Sequence, residues 1–309
     1  MDKWGVVVAI WLALVAAGAA AFDDDGLKCR PLVGKAADPV GSIRFGEGLL
    51  FRVSRPGMPP SHVFGTVHVD LPAVTTLAPP VRRAFDASRA LVVETLLDEP
   101  AAMAEMATRM RQPPGRHLQA QAGKALFARA AALLVQYGVD AAGADALKPW
   151  AAFITLNLPP EMIGMPLDLR LVQEARRRGL ALYGLETMAE QVDVLDRMTL
   201  DDQVQLLADT VCHYDALQLQ MTHLIDRYVA RDLAGVVRLA DGLQVEGDAA
   251  GARLKEELLG KRNRRMAQRV APRLAEGHAF VAVGALHLPG DDGLLALLES
   301  QGFTVERVH

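Results

Sequence analysis

The sequence predicts an α/β fold: a mixed or mostly parallel central sheet built from N- and C-terminal strands, with a large helical insertion. Three observations lead there. Phe280-Val281-Ala282-Val283-Gly284, bounded by Gly277 and Gly290, is an apolar, partly β-branched run with the pattern of a strand buried on both faces. Val63-Phe64-Gly65 is a similar, shorter run near the other end. Between about residues 100 and 277 the apolar residues recur at helical spacing instead. Both strands run into Gly-x-x-His, Gly65-Thr66-Val67-His68 and Gly284-Ala285-Leu286-His287. Each delivers an imidazole to the carboxyl edge of the sheet, where open α/β folds place their sites.

The chain has 309 residues, 51% of them hydrophobic, enough for one large core or two modest ones. A net charge of −4 with interspersed signs gives no electrostatic reason to expect a nucleic-acid partner. Residues 1–21 read as a signal peptide: Lys3, an uncharged aliphatic stretch from Gly5, and Ala19-Ala20-Ala21 as a small-residue end. An uncleaved membrane anchor is the other reading of that span, because its length is close to the roughly 18 residues of a spanning helix. Cleavage predicts a periplasmic or secreted protein with no stable membrane insertion. Residues 22–48 form an N-terminal extension, and residues 49–309 a single α/β domain with its helical insertion over about 100–277. Cys29 and Cys212 are the two cysteines. In an oxidising compartment they can form a disulfide; otherwise Cys212 is a buried thiol and Cys29 an exposed one.

Within the domain, Leu49–Val53 and His62–Thr66 flank a Pro-Gly turn and predict a hairpin. Pro80–Ser88 has the spacing of a short helix. Ala90-Leu91-Val92-Val93 is another buried strand, ended by Glu94. Met103, Met106 and Met110 sit at i, i+3 and i+7 and read as a core stripe. Helices are predicted over 124–137, 150–156, 169–178 and 186–198, and Thr199 with Asp202 caps a longer one through Val229. His213 and His223, ten residues apart on it, read as packed or solvated. Leu180–Leu185 is a further strand, which ends in Glu186 as the earlier one ends in Glu94.

A helix over Leu254–Leu274 carries an anomaly. Leu254, Leu258, Leu259, Met266 and Val270 define an apolar arc at 100° per residue, Arg262 falls inside it and Asn263 at its margin. An arginine buried there needs a carboxylate, and Glu94 or Glu186 is the expected partner. The basic run 261–265 also permits a solvated face with Arg262 turned outward. Pro272 should kink or end the helix.

These residues carry a family resemblance. Phe64-Gly65-Thr66-Val67-His68, Gly184-Leu185-Glu186-Thr187 with Gln191, Arg262-Asn263 with Met266, and Val283 to Gly290 followed by Asp292-Gly293-Leu294-Leu295 closely resemble the TraB/GumN family, over nearly all of the chain after residue 21. That family is similar to the Tiki metalloproteases and, more remotely, to erythromycin esterase and ChaN-like haem-binding proteins. The resemblance implies His68, Glu94 and His287 as ligands of a divalent metal ion (manganese, cobalt or zinc), with Glu186, Arg262 and Asn263 as catalytic groups nearby. The sequence departs from the family around Gly164-Met165-Pro166-Leu167-Asp168, where Pro166 blurs the alignment of Asp168.

Two imidazoles and a carboxylate leave a coordination position open for water, as catalytic zinc and similar ions require. Glu186 is then a candidate general base, and Arg262 a candidate oxyanion or carboxylate partner. The expected function is an exported metal-dependent hydrolase acting on a peptide, or on a small-molecule substrate. The other reading is a non-catalytic protein that sequesters a signal peptide or haem in the same cleft. A serine hydrolase is disfavoured, as no Gly-x-Ser-x-Gly elbow occurs.

Overall fold

The computed structural model of the chain describes residues 27–34, 42–160 and 164–309. The expected signal segment, residues 22–26 and 35–41 of the extension, and residues 161–163 lie outside the described residues. Among the described residues no helix is long and apolar enough to cross a membrane.

The N-terminal part contributes β1 (Leu32–Gly34), β2 (Leu50–Ser54), β3 (Ser61–Thr66), the helix α1 (Pro79–Asp86) and β4 (Ala90–Val93). The helical region then contains α2 (Pro149–Leu156), α3 (Leu167–Arg178), β5 (Ala181–Gly184), α4 (Met188–Asp196), α5 (Leu200–Cys212) and α6 (Tyr214–Val229). It ends with the short strand β6 (Leu243–Val245) and with α7 (Arg262–Glu276). Strand β7 (Ala279–Gly284), α8 (Leu294–Ser300) and β8 (Thr304–Arg307) close the chain.

Six strands form one mixed sheet in the order β5-β4-β7-β3-β2-β8. The first four are parallel to one another, while β2 pairs antiparallel with both β3 and β8. Strand β7 lies between β4 and β3, and all six of its residues are buried, which accounts for its apolar run on both faces. Phe64 and Phe85 pack against Phe280, with ring centroids 5.8 and 5.3 Å away. A second core, entirely helical, gathers Leu134, Trp150, Leu156, Leu195 and Leu207. Met106 and Met110 of the expected methionine stripe belong to it, while Met103 is only half-buried and stands outside it.

Three local expectations change. Thr199 caps α5, its hydroxyl accepting from the Asp202 amide at 3.1 Å, but the helix stops at Cys212 instead of running to Val229. His213 leaves helical geometry, and its Nε2 lies 2.9 Å from the Arg30 carbonyl. Beside it, Cys212 is bonded to Cys29 in a disulfide with Cα atoms 5.6 Å apart. Secondly, the helical region holds the unexpected strand β6, which pairs antiparallel with β1. Finally, of the two outcomes expected at Pro272, the end of the helix does not occur, and α7 runs through it to Glu276. The local cost of such a proline is about 3 kcal/mol. Burial of Val270 and Leu274 on either side of it outweighs that, at about 1.5–3 kcal/mol each.

Candidate active site

Four parallel strands end at the same edge, and each hands over one chemically able side chain. His68 comes two residues after β3, Glu94 one after β4, Glu186 two after β5 and His287 three after β7. Parallel pairing continues past β4 and β5: the Leu185 amide donates to the Val93 carbonyl at 2.8 Å, and the Glu186 amide to the Glu94 carbonyl at 2.7 Å. Those two bonds place the carboxylates side by side. His223, by contrast, is exposed.

Two like charges at this spacing require a cation, and α7 supplies it. A six-residue π-helical stretch, Glu256–Lys261, delivers the chain into α7. Arg262, Asn263, Met266, Val270 and Leu274 are all buried on its inner face, so Arg262 is the inward arginine that the apolar arc required. Its Nε donates to Glu186 Oε2 at 2.8 Å and its Nη2 to Glu94 Oε2 at 2.5 Å. Burial opposes the charge of Arg262, but Glu94 and Glu186 outweigh it and hold its pKa above the ordinary value. Arg265, one turn on, donates from Nε to Glu186 Oε1 at 2.9 Å, and Gln191 Nε2 approaches Oε2 at 3.4 Å. Glu186 thus has both oxygens engaged and no exposed side-chain surface. In this structure Glu186 anchors the two arginines.

Glu94 keeps its other oxygen for the site. Oε1 accepts from the Gly284 amide at 2.6 Å and lies 3.6 Å from His287 Nε2. Desolvation alone would raise the Glu94 pKa. Arg262, His287, His68 and the Gly284 amide overcome it and hold the carboxyl well below the usual range. The tautomer of His287 follows from its neighbour. Asn263 Nδ2 donates to the Asp292 carbonyl at 2.9 Å, so Asn263 Oδ1 is the atom 2.6 Å from His287 Nδ1, and that nitrogen must carry the proton. Burial pushes the His287 pKa down to about 4, which leaves Nε2 as a bare lone pair at neutral pH.

His68 has a partner that the strand pattern did not reveal. Its Nδ1 lies 2.7 Å from Asp168 Oδ2, and Asp168 Oδ1 accepts from the Thr66 hydroxyl at 2.6 Å. Burial lowers the His68 pKa, Asp168 more than offsets this, and the net shift is upward. Tyr228, buried on α6, donates to the Gly65 carbonyl at 2.9 Å and fixes the strand end from behind. Gly65 itself lies against the turn that carries His287: a Cβ built on it would stand 3.2 Å from Ala285 Cα and 2.9 Å from Leu288 Cδ1. The two Gly-x-x-His segments are therefore in direct contact.

Among the described residues no three His, Cys, Asp or Glu side chains form a preassembled metal cage. The donor chemistry fits a cation nevertheless. An imidazole lone pair and a carboxylate oxygen face each other across 3.6 Å, two acceptors with nothing to share unless a proton or metal ion joins them. His68 acts electrostatically on both groups, which puts a third donor, an imidazole nitrogen, nearby.

The chain is 27% identical to "Metalloprotease TIKI2" of Danio rerio, with 84% of this chain and 61% of the relative covered. It is 26% identical to "Metalloprotease TIKI1" of Homo sapiens, over 80% of this chain and 60% of the relative. With "Metalloprotease TIKI homolog" of Nematostella vectensis it shares 25% identity, over 81% and 65%. The chain thus spans about three-fifths of the length of these curated relatives. No solved structure matches it significantly. The sequence profile of the TraB/PrgY/gumN family matches residues 49–307, which include all four strand-end residues together with Arg262 and Asn263, and the chain belongs to that family.

Proposed function

We propose that the protein is an exported, metal-dependent hydrolase of peptide bonds, in which His68, Glu94 and His287 hold one divalent ion. The carrying observation is the pair His287 Nε2 and Glu94 Oε1, two acceptors turned toward each other at 3.6 Å. Family membership and relatives named metalloproteases support the reading. An ion bound there supplies Lewis acidity toward a peptide carbonyl and toward water. The protein's own part is to hold the donors ready. Arg262 and the Gly284 amide keep Glu94 ionised, Asn263 directs the His287 lone pair, and Glu186 with Arg265 fixes Arg262. The Cys29–Cys212 disulfide supports an oxidising compartment, and with it export.

Calorimetric titration of manganese, cobalt and zinc into chelated protein tests the proposal. Wild type should take up one ion, and His68→Ala and His287→Ala should lose it. Glu186→Ala, acting through Arg262, should weaken uptake by about 10- to 100-fold. The proposal falls if wild type binds none of the three metals, or if the histidine variants bind as tightly as wild type. A Soret band in purified protein would point to haem sequestration instead. Mass spectrometry of the native N-terminus tests export: a start near Phe22 supports it, and recovery of residues 1–21 in a membrane fraction means an anchor.

A further inference from the structure

Asp168 is a buried carboxylate, 5% exposed, and the machinery around Glu94 makes no use of it. It stands in the first turn of α3, where the free backbone amides and the helix dipole favour a negative charge. One oxygen accepts from the Thr66 hydroxyl and the other meets His68 Nδ1, at 2.6 and 2.7 Å. An ionised carboxylate only accepts, so the neutral His68 ring must carry its proton on Nδ1 and present Nε2 without one.

Considerable structure serves that single contact. Pro166, at the N-cap position with φ −65° and ψ 162°, turns the chain into α3. Asp70, two residues beyond His68, accepts from the Met165 amide at 3.0 Å and from Arg170 Nη2 at 2.7 Å. Arg170 Nε in turn donates to the Met165 carbonyl at 2.9 Å. The loop that bears His68 and the segment that bears Asp168 are thus fastened together a second time, on their exposed side. The two site histidines are oriented by different chemistry, His287 by a neutral amide and His68 by a charged carboxylate.

We propose that Asp168 is the positioning residue for His68: it fixes the tautomer that leaves Nε2 as the coordinating nitrogen, with Asp70 and Arg170 holding it in register. The sequence departure at Pro166 leaves this role intact. The proposal rests on the metal-site reading above, and its test separates the two.

Long-range proton–nitrogen correlation spectra of the chelated protein, labelled at histidine and recorded at alkaline pH where the ring is neutral, report the tautomer with no metal present. Wild type should show His68 protonated on Nδ1. Asp168→Ala should shift the ring toward the Nε2-protonated form and weaken zinc uptake by about 10- to 100-fold. Asp168→Asn, which keeps an oxygen acceptor of the same shape, should lose less than Asp168→Ala. Finding His68 protonated on Nε2 in wild type overturns the proposal, as does an Asp168→Ala protein whose tautomer and zinc affinity are unchanged. If wild type takes up no zinc, the metal reading fails, and the tautomer spectra alone then decide the role of Asp168. Should Asp168→Ala not fold, the wild-type tautomer and the Asp168→Asn titration carry the test.

Discussion

Arg262 bonds Glu94 and Glu186 at once, at 2.5 and 2.8 Å, and so joins the ends of two neighbouring strands through one buried guanidinium. Arg262→Ala would strip Glu94 of its guanidinium partner and leave Glu186, which has no exposed surface, with Arg265 as its one remaining cation. The expected loss is about 3–5 kcal/mol in stability, the usual scale for removing one partner of a buried ion pair. Arg262→Lys should recover little, because a point charge cannot reproduce the fork that reaches both acceptors. Urea unfolding of the two variants against wild type checks this. A loss under about 1 kcal/mol would mean that the triad is not closed in solution.

Acid should destabilise the metal-free protein through His287. Its folded pKa, about 4, lies below the ordinary 6.5, so the unfolded chain binds the proton first. Stability therefore falls as pH drops from about 6.5 toward 4, by at most about 3 kcal/mol. His68, shifted upward, contributes fully below 6.5 and adds no slope in that window. Glu94, shifted downward, begins to cost stability only below its ordinary value of 4.5. Denaturant midpoints of chelated protein at several pH values from 6.5 to 4.5 should fall steadily, and His287→Gln should flatten the trend.

Gly65→Ala should act on the other histidine motif. The added methyl meets Ala285 backbone at 3.2 Å, which can yield only if the turn carrying His287 shifts. A stability loss of about 1–3 kcal/mol is expected from overpacking. Metal uptake should fall as well, since the displaced ring no longer faces Glu94. Unchanged uptake with unchanged stability would show that the contact between the motifs is loose.

Opening the Cys29–Cys212 bond should cost about 2–5 kcal/mol, the range for a native disulfide closing a long loop. Cys212→Ser should also free β1 from β6, and with it the Arg30 bond to Asp209 at 3.1 Å. Hydrogen exchange at Leu32–Gly34 and Leu243–Val245 would report the release. Retained protection in those two strands would show that their pairing stands without the bond.

The strand-end residues were legible because apolar runs stop where His68, Glu94, Glu186 and His287 begin. Helical spacing put Arg262 among leucines, but phase alone also permitted the outward-turned face, and only the contacts with Glu94 and Glu186 decide between them. Asp168 was not legible: an acid in a helical first turn is unremarkable, and its partner Thr66 is 102 residues away. Tyr228 was hidden likewise, as one apolar position among many on α6, 163 residues from the carbonyl it binds. The break at His213 and the strand β6 come from contacts with the N-terminal segment, which no window along the helical region contains. For Glu186, sequence gives its position on the edge but not that two arginines reach it.

Strand β7 sits between β3 and β4, which do not pair with each other. The amide that holds Glu94 comes from its last residue, Gly284, 190 positions later in the chain. During synthesis the first two parallel strands must therefore wait, each with an unsatisfied edge, for a partner that leaves the ribosome only after the whole helical region. A nascent chain, or one cut before residue 279, lacks both the Gly284 amide and the His287 ring, so Glu94 is left without the two groups that meet its Oε1.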